Sequence, residues 1–197
     1  IDKYGNSVSV TTTLNNSYGS KVFVEEGGFF LNNEMDDFSS KPGHPNFYGL
    51  IGSEANSIQP GKRMLSSMTP SIILKDNKPS LIVGTPGGST IITSVLQTIL
   101  NVYEFDMSVQ EAVNAPRFHH QWLPDVVIFE EGIIDKEKDS ILKSKSYFVI
   151  SLPIEVDTGG MSARSSIGAV DAILIDKEGE VSTGADFRGD DYGEILK

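Results

Sequence analysis

Leu81-Ile82-Val83-Gly84-Thr85-Pro86-Gly87-Gly88-Ser89-Thr90-Ile91-Ile92-Thr93-Ser94-Val95-Leu96-Gln97-Thr98-Ile99-Leu100 runs from a short apolar stretch, through a glycine-rich turn, into a helical repeat. Leu81–Gly84 predicts a strand. Ile91, Ile92, Val95, Leu96, Ile99 and Leu100 follow the i, i+3, i+4 rule, which predicts a helix with one buried face. Just upstream, Ser71–Lys75 and Leu81–Gly84 flank Asp76-Asn77-Lys78-Pro79, a hairpin signal. Working outward, Ser108 with Glu111 three residues on is a capping-box pattern, and that second helix must stop before Pro116. Val126–Phe129 and Tyr147–Leu152 predict strands on either side of a helix over Lys136–Lys145. Ala169–Ile175 and Glu180–Thr183 flank Asp176-Lys177-Glu178-Gly179, a second hairpin. Towards the start, Ser7–Leu14 alternates Val8 and Val10 with Ser and Thr and predicts a half-buried strand, and Gly28–Leu31 is a short apolar run. Ser39–Gly61, rich in Gly, Pro, Ser and Asn, predicts a long loop, a feature that is usually functional inside a compact domain. Strands and hairpins dominate and the helices bunch in the middle. That order predicts sheet layers covered by helices, not a strict βαβ alternation.

The chain has 197 residues, enough for one sizeable domain, and carries a formal charge of -11. Its 16 basic residues are scattered and form no stripe, which argues against nucleic acid as a partner. The absence of cysteine excludes disulfides, thiolate catalysis and cysteine-based zinc sites. No apolar run reaches membrane-spanning length. Ile1-Asp2-Lys3-Tyr4-Gly5-Asn6 reads as a turn between two strands, so the sequence is expected to be a processed piece or a fragment.

Five segments offer chemistry, each beside a plainer reading. Gly84-Thr85-Pro86-Gly87-Gly88-Ser89 is not a P-loop, since no Gly-Lys-Ser/Thr follows. It is either a tight turn or a nest of backbone N–H groups at a helix start, suited to an anion or a developing oxyanion. Leu65-Ser66-Ser67-Met68-Thr69-Pro70 places paired hydroxyls before a strand, as turn chemistry or as a holder for a carboxylate. Leu31-Asn32-Asn33-Glu34-Met35-Asp36-Asp37-Phe38 concentrates carboxylates. It can be a solvated turn, a metal site without EF-hand spacing, or a recognition site for an ammonium group. Asn114-Ala115-Pro116-Arg117-Phe118-His119-His120-Gln121-Trp122-Leu123-Pro124 holds adjacent histidines that would face opposite ways in a strand, which favours structural roles for both. Arg188-Gly189-Asp190 matches an adhesion tripeptide, a match too short to carry weight.

These segments, together with Thr11-Thr12-Thr13-Leu14-Asn15 and Gly184-Ala185-Asp186-Phe187-Arg188-Gly189-Asp190-Asp191, occur in order and resemble the small, catalytic subunit of the γ-glutamyltransferases. The resemblance runs from about Asp2 to the end. It implies an α+β fold, the αββα four-layer sandwich of the N-terminal-nucleophile hydrolases, with residues 1–197 forming half of one catalytic domain. The large subunit, cleaved from the same self-processing precursor, would complete it. It implies a nucleophilic threonine just upstream of Ile1, with its own α-amine as base, and no cofactor or metal.

The roles implied are specific. Thr13 would hydrogen-bond the nucleophile. Asn15, Glu34 and Asp37 would hold the donor's α-ammonium, and Ser66 and Ser67 its α-carboxylate, helped by an arginine of the large subunit. Gly87 and Gly88 would form the oxyanion hole. Residues 42–53 would be a lid with Tyr48 as its gate. The implied reaction passes the γ-glutamyl group of glutathione or a related amide, through a threonyl ester, to water, an amino acid or a peptide. Such enzymes are mostly periplasmic or extracellular. Two alternatives stand beside this. One is a related acylase acting on cephalosporin-type side chains or poly-γ-glutamate, for which Glu34 and Asp37 together would be superfluous. The other is a catalytically dead binding or structural relative.

Overall fold

The structure is a computed structural model and describes residues 1–154 and 167–196. In chain order its elements are β1 (Phe23–Val24), β2 (Phe29–Phe30), β3 (Ser71–Lys75), β4 (Lys78–Gly84), α1 (Ile91–Tyr103), α2 (Val109–Asn114), β5 (Phe118–His119), β6 (Val127–Glu130), α3 (Lys136–Ser144), β7 (Val149–Leu152), β8 (Asp171–Ile175) and β9 (Val181–Ala185). The fold is α+β, as expected. The chain divides into two compact units. One holds Ile1–Thr11, Met68–His120 and the residues from Asp125 onward; the other holds Thr12–Ser67 and Gln121–Pro124.

In the first unit β3, β4, β8 and β9 form an antiparallel sheet in that order. Both expected hairpins are present in it. The register sets Leu81 opposite Ile73 and Leu174, and Val83 opposite Ala172. Side chains alternate along a strand, so these residues share one face. Leu81, Val83 and Ala172 pack there against Ile91, Val95, Val102, Val109, Ala112 and Val113 of the two helices. Each fully buried aliphatic side chain contributes roughly 1.5–3 kcal/mol. Gly184 lets α2 come down onto β9: a Cβ there would lie 2.8 Å from the Val109 carbonyl oxygen. The capping box of α2 is complete, with the Ser108 side chain accepting from the Glu111 amide and the Glu111 carboxylate accepting from the Ser108 amide.

Two expectations need correction. The buried face of α1 is Ile91, Ser94, Val95, Thr98 and Val102, while Ile92, Leu96 and Leu100 stay 51%, 52% and 39% exposed. The apolar arc is wider than one face, so the pattern alone could not orient it. Ser94 and Thr98 share the buried side with Ile91, Val95 and Val102 and satisfy their hydroxyls there. Ser94 donates to the carbonyls of Thr90 (2.9 Å) and Ile167 (3.2 Å), and Thr98 to that of Ser94 (3.0 Å). Second, Ser7–Leu14 joins no ladder among the described residues, and Val8 and Val10 are 70% and 71% exposed. Its fixed point within this unit is the Ser9 hydroxyl, which donates to the Val83 carbonyl at 2.8 Å. Alternation states which residues share a face and says nothing of which strand will pair. The strand–helix–strand run expected over Val126–Leu152 is present: β5, β6 and β7 form a second sheet in which β6 and β7 run parallel, with α3 as the crossover. One βαβ unit is therefore embedded in the otherwise antiparallel scheme.

In the second unit the expected loop, Ser39–Gly61, holds only a short 3-10 turn at Glu54–Asn56 and an isolated bridge between Pro45 and Ile51. Among the described residues no helix is long and apolar enough to cross a membrane.

Candidate active site

The second unit gathers most of the residues expected to recognise a substrate. Thr13 opens a turn: its hydroxyl accepts from the Asn15 amide at 2.8 Å, and Asn15 takes a φ of 72°. That left-handed conformation is one asparagine tolerates better than most residues. The Asn15 side chain donates to the Asn33 carbonyl at 3.2 Å, and the Asn33 side chain accepts from the Asn16 amide at 3.1 Å. This pair of bonds fastens the Thr13–Asn15 turn to the 3-10 turn Glu34–Asp37. Glu34 and Asp37 are both half-buried. Partial burial, and then the negative charges of Glu34 and Asp36, push the Asp37 carboxyl above its ordinary pKa. Such a carboxylate gains from an incoming cation. Among the described residues no group of His, Cys, Asp or Glu is arranged to hold a metal ion.

Residues 42–53 fold back over the same turn. The Gly43 amide donates to Gly52 at 2.8 Å and the Asn46 amide to Leu50 at 2.9 Å. The Asn46 side chain accepts from the amides of Tyr48 (3.0 Å) and Leu50 (2.9 Å). The Asp36 carboxylate accepts from the Phe47 amide at 3.1 Å, and the Tyr48 hydroxyl donates to the Asn15 carbonyl at 2.9 Å. Loop, acidic turn and Thr13–Asn15 turn are thus one hydrogen-bonded group. Ser67 is half-buried and Ser66 exposed.

The first unit carries the glycine turn. Gly87 has φ 140° and Gly88 φ 58°, values that side-chain-bearing residues avoid. They precede and open the 3-10 turn Gly88–Thr90 that leads into α1. Amides at such a start have no acceptor within the helix. A Cβ on Gly87 would meet the Thr90 hydroxyl at 2.6 Å. Thr85 anchors the turn from below, donating to the Ala169 carbonyl at 2.9 Å and accepting from the Ala169 amide at 2.9 Å. The two histidines take separate partners. Buried His119 pairs through Nδ1 with the Thr93 hydroxyl at 2.8 Å, and His120 through Nε2 with Asp125 at 3.1 Å.

The sequence pattern that defines the gamma-glutamyltranspeptidase family matches residues 1–196. The chain belongs to that family. It is 44% identical over 191 residues to the glutathione hydrolase proenzyme of Escherichia coli, covering 97% of this chain and 31% of that protein. It spans about a third or less of the length of this and other curated relatives that it matches. Gamma-glutamyltranspeptidase from Pseudomonas nitroreducens, solved in complex with L-DON, superposes with a TM-score of 0.87 at 44% identity, covering 100% of this chain and 97% of that one. A cephalosporin acylase from Bacillus halodurans shares the fold alone, at 24% identity and a TM-score of 0.72, over 91% of this chain and 30% of that one.

Two features of this chain escape sequence reasoning. One is a fully buried ionic cluster in the first unit, Arg117, Arg188, Glu130 and Asp186. Arg188 forks onto Glu130 through Nε (2.8 Å) and Nη2 (2.6 Å), and its Nη1 reaches Asp186 at 2.9 Å. Arg117 pairs with the other Asp186 oxygen. Burial pushes the Asp186 carboxyl up, but the Arg117 charge together with hydrogen bonds from Arg117 and from the amides of Val170 and Arg188 outweighs it and holds the pKa below the ordinary range. Arg188 is therefore a core residue, and Arg188-Gly189-Asp190 is not displayed as an adhesion motif. The other is Asn56, which the sequence showed only as part of a polar loop.

Proposed function

We propose that this chain is the catalytic, small-subunit part of a γ-glutamyltransferase that also hydrolyses glutathione and related γ-glutamyl amides. The observation that carries the reading is the Thr13–Asn15 turn fastened through Asn33 to the 3-10 turn that bears Glu34 and Asp37. Asp37, with Asn15 and Glu34, would meet the donor's ammonium; Ser66 and Ser67 would meet its carboxylate. Both groups must be matched, because burying either without a partner is costly. The Gly87 and Gly88 amides would stabilise the oxyanion of the tetrahedral intermediate. The nucleophile would be a threonine hydroxyl expected upstream of Ile1, next to Thr13. It would attack the γ-carbonyl and release the amine, and water, an amino acid or a peptide would then take the acyl group from the ester. In this reading the large subunit of the same precursor completes the αββα sandwich and supplies an arginine to the carboxylate. Tyr48 would gate the pocket from the lid at residues 42–53. The working compartment would be the periplasm or the exterior.

The test uses the full-length precursor with a γ-glutamyl anilide. Release of the aniline and, with glycylglycine present, formation of γ-glutamyl-glycylglycine are expected. An aniline signal absent from the self-cleaved protein would refute the reading.

Two further outcomes follow. Asp37 binds an ammonium only when ionised, and its pKa is raised. As pH falls, the KM for the γ-glutamyl donor should therefore begin to rise at a higher pH than an ordinary carboxylate would impose. The acidic limb of log(1/KM) against pH should disappear in Asp37→Asn. Second, Gly88→Val would force a β-branched residue to φ 58° and disturb an oxyanion donor. Losing one such donor costs about 2.7–4 kcal/mol of barrier, to be read as a fall in kcat with little change in KM.

A further inference from the structure

Asn56 stands where three functional segments meet in the second unit. Its side-chain amide donates to the Asp37 carbonyl at 2.8 Å, and its side-chain oxygen accepts from the Leu65 amide at 3.0 Å. Its own carbonyl accepts from the Ser39 amide at 2.9 Å. One half-buried residue therefore ties the acidic turn, at Asp37, to the chain entering Ser66-Ser67. It also closes the base of the 42–53 loop, which leaves the turn after Ser39 and returns just before Asn56. Asn56 is held in place by the 3-10 turn it ends, its amide donating to Ser53 at 3.0 Å.

We propose that Asn56 is a positioning residue that sets the spacing between the ammonium-binding and carboxylate-binding halves of the donor site. The inference rests on the functional reading above. A planar carboxamide is suited to this, since it offers a donor and an acceptor at opposite corners of one rigid group. The two groups of an α-amino acid head sit on one carbon at a fixed separation. A site that matches both gains only if its own two halves keep that separation; a donor with one charged group makes no such demand.

The experiment compares three anilides on the full-length, self-cleaved protein. The γ-glutamyl anilide has both charged groups, the glutaryl anilide lacks the ammonium, and the 4-aminobutyryl anilide lacks the carboxylate. Asn56→Ala should lower kcat/KM for the γ-glutamyl donor at least about tenfold, mainly through KM, and for each one-headed donor by less than about threefold. Asn56→Asp keeps the acceptor for Leu65 but loses the donor to Asp37, so it should show the same donor-dependent loss in smaller measure. It also decides the matter if Asn56→Ala does not fold. Equal losses on all three donors, or none, in a folded variant would overturn the positioning role. If the unmodified protein shows no preference for the two-headed donor, the functional reading fails instead, and the two failures are told apart.

Discussion

Glu130→Ala is expected to destabilise the protein by about 3–5 kcal/mol, because removing one member of a buried ion network leaves an uncompensated charge inside. Glu130 accepts from Arg188 Nε and Nη2 and from the backbone amides of Arg117 and Ile167, so four donors lose a partner at once. Two arginines would then share the single carboxylate of Asp186. Glu130→Gln restores part of the hydrogen bonding but not the charge and should recover only part of the loss. The urea unfolding midpoint of the purified, self-cleaved protein reads this directly. A loss under about 1 kcal/mol, the range of exposed pairs, would mean that the cluster is wet.

Asp37→Ala is expected to reduce kcat/KM for a γ-glutamyl donor by about 2–5 kcal/mol of transition-state binding, the cost of stranding one partner of a desolvated charge pair. Charge-assisted contacts are the stronger kind, so Asp37 should outweigh Asn15 and Glu34. The Asp37 backbone is pinned separately, its carbonyl bonded by Asn56, so truncating the side chain should leave the turn in place. Asp37→Asn keeps the shape without the charge and should fall between wild type and Asp37→Ala. Steady-state kinetics with matched thermal melts separate lost binding from lost folding.

The elements that could be read in advance are those whose signal is local. The β3–β4 and β8–β9 hairpins announce themselves by turn residues between apolar runs, and α2 by its capping box. What stayed hidden depends on residues far apart in the chain. The apolar arc of α1 is wider than its inward face, and Ser94, which reaches Ile167 from that face, sits between apolar positions. The meeting of Arg117 with Asp186 has no nearby trace. The candidate site was legible as motifs, through their resemblance to one family. Its arrangement was not: the Asn15–Asn33 tie and the Tyr48 latch link segments that the sequence keeps apart. Asn56 sat in a loop whose composition promised only irregularity, and its three partners gave it meaning.

The central claim is that this site selects an acyl donor by its α-amino acid head. The most direct measurement is the ratio of kcat/KM for γ-glutamyl over glutaryl anilide, taken on the full-length, self-cleaved protein and on Asp37→Ala. The account predicts a strong preference for the γ-glutamyl donor in the unmodified protein. It predicts that Asp37→Ala nearly erases that preference while sparing glutaryl turnover. Equal use of the two donors by the unmodified protein would contradict it and point to an acylase.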